Sequence, residues 1–176
     1  MHDIPTLASL RLQIYADLAY GAQGIEYWSF RGFGSPLDAQ GKRTVVFDHL
    51  QKISNEIQQL SGVFLGAKVI SVAQTGLNIP NETKRLSELP AQIKLLETIG
   101  EGAVVSLLEN GKNTFVVIVN RDFKNTMKLI ISTDDTVKKV LRDGTLIAAT
   151  DYANATEVEP GDVAIYMFPT AVRNEK

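Results

Sequence analysis

The sequence predicts an α+β protein, with a helix-strand-helix segment over residues 1–66 followed over residues 67–176 by an antiparallel β-sandwich. Three observations carry this reading. Val46, Leu50, Ile53, Ile57, Leu60 and Phe64 recur at 4-3-4-3-4 spacing, the stripe of one helix face. After Gly66 the pattern changes to short β-branched runs separated by turn residues, the composition shift of a domain boundary. Among those runs stands Asn110-Gly111, the strongest short hairpin signal.

The elements follow in order. Residues 5–20 read as a helix, with Pro5 near its first turn, Leu7, Leu10, Ile14 and Leu18 along one face, and Gly21 as its stop. Residues 25–30, rich in aromatic and strand-forming side chains, read as a strand. Residues 31–43 carry glycines and prolines and form a loop at the strand's carboxyl end. Thr44 can cap the long helix that runs to Gly66, roughly 22 residues and about 33 Å. Strands are then expected at 68–73, 93–98, 103–108, 114–120, 127–132, 137–141, 146–149 and 163–168, with 79–89 irregular and sharp turns at Arg142-Asp143-Gly144 and Glu159-Pro160-Gly161-Asp162.

Composition narrows the function classes. A 44% hydrophobic, 22% charged chain can bury a core, so folding is expected. With 18 basic and 20 acidic residues the net charge of −2 gives no footprint for nucleic acid or an anionic membrane. The absence of cysteine excludes disulfides, thiolate metal sites and cysteine nucleophiles, and His2 and His49 alone argue against zinc; no metal or cofactor is expected. No run reaches the 18 apolar residues of a membrane span, and MHDIPT lacks signal-peptide order, although a leader would be lost if the chain is a fragment.

The phrase from Leu10 to Ile25, LRLQIYADLAYGAQGI, followed by Tyr27-Trp28-Ser29-Phe30-Arg31, resembles the last helix-to-strand passage of β-galactosidase-type glycoside hydrolases of the large retaining clan. The later glycine-rich loop, long helix, Phe115–Arg121 run and Glu159–Tyr166 run are similar in layout to that family's barrel closure and accessory sandwich. The motif-level match covers about 25 residues. The resemblance implies that residues 1–66 are the closing remnant of a (β/α)8 barrel, which needs roughly 250 residues in full. It also implies a periplasmic or secreted bacterial parent and a carbohydrate partner once the barrel is completed. The family's acid/base and nucleophile carboxylates end the fourth and seventh barrel strands, and no residue here matches them. Retaining hydrolysis needs two carboxyl groups roughly 5 Å apart, so no catalytic residue is assigned.

Strand alternation puts Glu26 and Trp28 on one face and Ile25 and Tyr27 on the other, the apolar pair against the helices. Trp28 is the leading substrate contact, since an indole stacks on a sugar ring, with a core-filling role as its competitor. Glu26 either binds sugar or is a paired or exposed charge. Arg31 pairs with Glu26, reaches a hydroxyl, or is a solvated loop arginine. Asp134-Asp135 with Asp151 lacks a calcium loop's regular oxygens, and Asn81-Glu82-Thr83 and Asn154-Ala155-Thr156 read as surface turns.

The expectation is therefore the accessory, non-catalytic end of a glycoside hydrolase. The alternative is a free-standing carbohydrate-binding or assembly module, which would need a row of exposed aromatics drawn from Phe115, Phe123, Tyr152, Tyr166 and Phe168. An open barrel segment leaves apolar helix faces to cover, so residues 5–66 are expected to pack on the sandwich or on a second copy.

Overall fold

The computed structural model describes residues 4–149 and 156–170; His2, Asp151, Tyr152 and Asn154 lie outside them. Helix α1 (Leu7–Ala19) is opened by a capping box in which the Thr6 hydroxyl accepts from the Ser9 N–H at 3.1 Å and Ser9 Oγ accepts from the Thr6 N–H at 3.0 Å. Helix α2 (Val45–Gln59) is capped by Thr44, whose hydroxyl accepts from the Val46 N–H at 3.2 Å. The continuous rod expected up to Gly66 is broken: α2 ends at Leu60, and one further turn, α3 (Ser61–Phe64), follows. Ser61 and Gly62 are poorer helix formers than the residues before them, and burial of Leu60, Val63 and Phe64 holds the bent turn.

Residues 25–30 are a second correction. They form no strand, and no described residue runs beside them as a ladder partner. A strand exists by pairing its N–H and C=O groups with a neighbour, so aromatic and β-branched composition alone does not make one. The expected helix-strand-helix is, in this chain, helix-loop-helix.

The remainder is built from β1 (Lys68–Gln74), β2 (Ile93–Ile99), β3 (Ala103–Asn110), β4 (Asn113–Asn120), β5 (Met127–Thr133), β6 (Lys138–Val140), β7 (Leu146–Ala148), β8 (Thr156–Val158) and β9 (Val163–Pro169). They form a six-stranded sheet ordered β1-β3-β4-β9-β6-β7 and a three-stranded sheet ordered β2-β5-β8, with antiparallel pairing throughout these ladders. The architecture is α+β with a two-sheet, sandwich-like arrangement; β8 was not foreseen. At the β3–β4 hairpin Asn110 pairs with Asn113, so Asn110 is the last ladder residue and Gly111-Lys112 the turn. Gly111 alone carries a positive φ of 62°, the pattern of a II′ turn with glycine first.

The middle strands of the large sheet, β3, β4 and β9, are buried on both faces, which explains why they read as continuous apolar runs rather than alternating ones. Val104, Leu108, Phe115, Val117, Val119 and Ile165 face the helices. Their neighbours Val105, Val116, Ile118, Ala164, Tyr166 and Phe168 face the small sheet, meeting Leu96, Met127, Leu129 and Ile131. The helices thus form a third layer on the sandwich and share one core with it.

A charged cluster fastens that layer. Glu56 of α2 accepts from Arg11 Nε of α1 at 3.1 Å, from a second Arg11 nitrogen, and from the Tyr15 hydroxyl at 3.2 Å. Arg142, from the β6–β7 turn, lies 3.8 Å from Glu56 and pairs with Asp162 before β9. Burial, with Glu56 beside it, holds the Tyr15 hydroxyl well above the ordinary tyrosine range. The Glu159–Asp162 turn is pressed so closely on α1 that a Cβ on Gly161, at φ +67°, would stand 2.0 Å from the Ala8 carbonyl oxygen.

Candidate functional site

The candidate residues lie on the connection from α1 to α2. Gln23 anchors its start, accepting from the Gly66 N–H at 2.7 Å and donating to the Phe64 carbonyl at 3.3 Å. Ile25 and Tyr27 are half-buried against the helical core, while Glu26 and Trp28 are exposed, so the expected two-faced pattern is present without a strand to carry it. Trp28 is 96% exposed, so in this chain it fills no core. The Trp28–Ser29 peptide bond is cis.

Beyond Trp28 the loop is a folded unit. The Leu37 N–H donates to the Phe30 carbonyl at 3.0 Å and the Gly32 N–H to the Leu37 carbonyl at 2.8 Å. Asp38 Oδ1 accepts from the backbone N–H groups of Gln40 at 2.9 Å and Lys42 at 2.8 Å, and the Thr44 hydroxyl donates to the Ser35 carbonyl at 2.7 Å. Arg31 is used inside this unit: its Nε donates to the Ala39 carbonyl at 3.1 Å. Among the described residues no ion pair joins Arg31 to Glu26, so the structure does not bring these two candidates together. Glu26 faces solvent.

The same connection carries two exposed aromatics that the sequence reading did not single out, Phe30 at 53% and Phe33 at 75% exposure. A pocket of about 260 Å³ opens beside Phe30, walled by it with Tyr27, Pro36, Phe47, Leu50 and Ser54. Burial raises the Tyr27 pKa, with a hydrogen bond to Ser54 acting against it, so the hydroxyl stays a neutral donor over the ordinary pH range. Arg43 stacks over Phe47 at 4.2 Å from the ring centre. This surface can offer flat apolar rings, one free carboxylate and neutral hydroxyls. It has no arrangement of nucleophile and base.

Among the described residues the sandwich offers no comparable row. Phe115, Tyr166 and Phe168 are buried in the two cores, Phe123 is half-exposed beside Lys124, and Tyr152 lies outside the described residues. Asp134 spends its carboxylate on its own turn, accepting from the Thr136 N–H at 2.9 Å. Among the described residues no helix is long and apolar enough to cross a membrane. Comparison with protein-family models, curated proteins and solved structures returns no match for this chain.

Proposed function

We propose that this chain is the carboxyl-terminal, accessory portion of a retaining glycoside hydrolase, with residues 1–66 the closing segment of its (β/α)8 barrel and no catalytic activity on its own. One observation supports the reading above the others. The 25–30 segment already has a helix-packed face, Ile25 and Tyr27, and a solvent face, Glu26 and Trp28, with no strand paired to it among the described residues. Such a segment has the side-chain order of a barrel stave over residues 25–28, and the chain bends at Trp28 and Phe30 beyond it. Within the completed barrel Trp28 supplies a stacking plane for a sugar ring, Glu26 accepts hydroxyl hydrogen bonds beside it, and Arg31 fixes the loop that follows them.

The missing step follows from chemistry. Protonating a glycosidic oxygen and attacking the anomeric carbon need two cooperating carboxyl groups, and this chain has none matched to those roles. Incubation of the isolated chain with aryl β-glycosides is expected to release no phenol above the buffer rate. Enzyme-level turnover would overturn the assignment.

A second reading is favoured by the exposed trio Trp28, Phe30 and Phe33: a module that binds glycans without hydrolysing them. Isothermal titration with oligosaccharides separates the two, since a saturating isotherm lost in Trp28→Ala favours the module, and no heat favours the incomplete barrel.

A further inference from the structure

The hairpin tip that meets the helical layer holds a reactive pair. Asn110 is followed by Gly111, and a backbone nitrogen that belongs to glycine is the least hindered nucleophile an asparagine side chain can meet. Gly111 is exposed, and a Cβ built on it would find no atom within 4 Å, so nothing shields the turn on that side. The asparagine itself is engaged. Its Nδ2 donates to the carbonyl oxygens of Leu65 at 2.9 Å and Gly62 at 3.0 Å, with Val63 at 3.5 Å. These are the orphan carbonyls at the end of α3, so this one amide satisfies a helix terminus and ties the β3–β4 hairpin to the helical layer.

We propose that Asn110 is a site of spontaneous deamidation gated by docking of the helical layer on the sandwich. In the reaction the Gly111 nitrogen attacks Asn110 Cγ. The new N–Cγ bond closes a succinimide, the Cγ–Nδ2 bond breaks, and ammonia leaves with the proton from the Gly111 nitrogen. Water then opens the ring at either carbonyl, giving aspartate or isoaspartate. While Nδ2 is held by the α3 carbonyls the side chain is not free to turn toward Gly111. When the α3 end lifts, it is. The product cannot return to the same place, because a carboxylate facing three carbonyl oxygens offers acceptors to acceptors. The modification therefore records undocking and makes it irreversible.

The test uses the full chain at mildly alkaline pH, with peptide mass mapping and isoaspartate detection over time. Conversion at Asn110 is expected to be at least about tenfold slower in the folded chain than in the same chain in denaturant, as for a group protected against local opening. Glu56→Gln, which weakens the tie between α1 and α2, is expected to speed conversion in the folded chain. Native-state hydrogen exchange on that variant must show exchange at residues 60–65 accelerated more than in β5. Equal rates folded and unfolded, or a Glu56→Gln rate that does not rise or rises only in step with β5 exchange, would overturn the gating.

Discussion

Truncating Glu56 to alanine tests whether the helical layer is held by its charged cluster. The side chains of Arg11 and Glu56 are 7% and 10% exposed, so their pairing is made out of water. Removing the carboxylate leaves the Arg11 guanidinium desolvated without a counter-charge, a change that costs about 3–5 kcal/mol. Arg142 adds little, because it is 44% exposed and lies 3.8 Å from Glu56. In a chain of this length about 4 kcal/mol corresponds to a fall in Tm of roughly 10 °C. Urea denaturation followed by circular dichroism measures the loss, and the paired variant Arg11→Met/Glu56→Leu is expected to recover most of it, since no buried charge is then left unmatched. A single-variant cost below about 1 kcal/mol, or a paired variant as unstable as the sum of the two changes, would refute the reasoning.

Other substitutions separate packing from surface. Gly161→Ala places a methyl on the Ala8 carbonyl at a positive φ and is expected to cost about 2–4 kcal/mol, read by the same denaturation curves. Asn120→Ala removes a fully buried amide that donates to the carbonyls of Asn125, Val158 and Glu159 at 3.0–3.1 Å; a loss of about 2–3 kcal/mol is expected, and a neutral result would contradict this bonding. Trp28→Ala should leave Tm within about 1–2 °C of the parent, because the ring is 96% exposed. Alkali should destabilise the fold. The folded-state pKa values of Tyr15 and Tyr166 are raised by burial, so the unfolded chain ionises first and stability, intact below the ordinary tyrosine pKa of 10.0, is lost as pH rises above it. Denaturation midpoints that stay flat from pH 9 to 11.5 would disprove it, and Tyr15→Phe should reduce the slope.

The sandwich was legible because its strands are short, β-branched and fenced by turn residues, and the hairpin signal at Asn110-Gly111 fell one residue from the true turn. The break at Leu60 was hidden, since Val46, Leu50, Ile53, Leu60 and Phe64 keep helical spacing across it and all are buried. The 25–30 segment misled for a different reason: its residue types and two-faced order are those of a strand, but pairing is a property of neighbours. β8 escaped because Thr156-Glu157-Val158 is too short to carry a period. The charged cluster could have been found. Arg11 sits inside the apolar stripe of Leu7, Leu10, Ile14 and Leu18, and Glu56 inside that of Ile53 and Leu60, so each helix brings one opposite charge into its buried face. At the candidate site, exposure of Trp28 and Glu26 followed from alternation, whereas the use of Arg31 as a loop clamp depended on the path of residues 32–39, which no local pattern encodes.

The nucleotide sequence immediately upstream of the Met1 codon bears most directly on the proposal that residues 25–30 are a stave awaiting its neighbours. Coding sequence there is predicted to specify alternating strands and helices, with an acidic residue closing two of the strands. Upstream sequence that encodes no such units would contradict the assignment and leave a self-standing module.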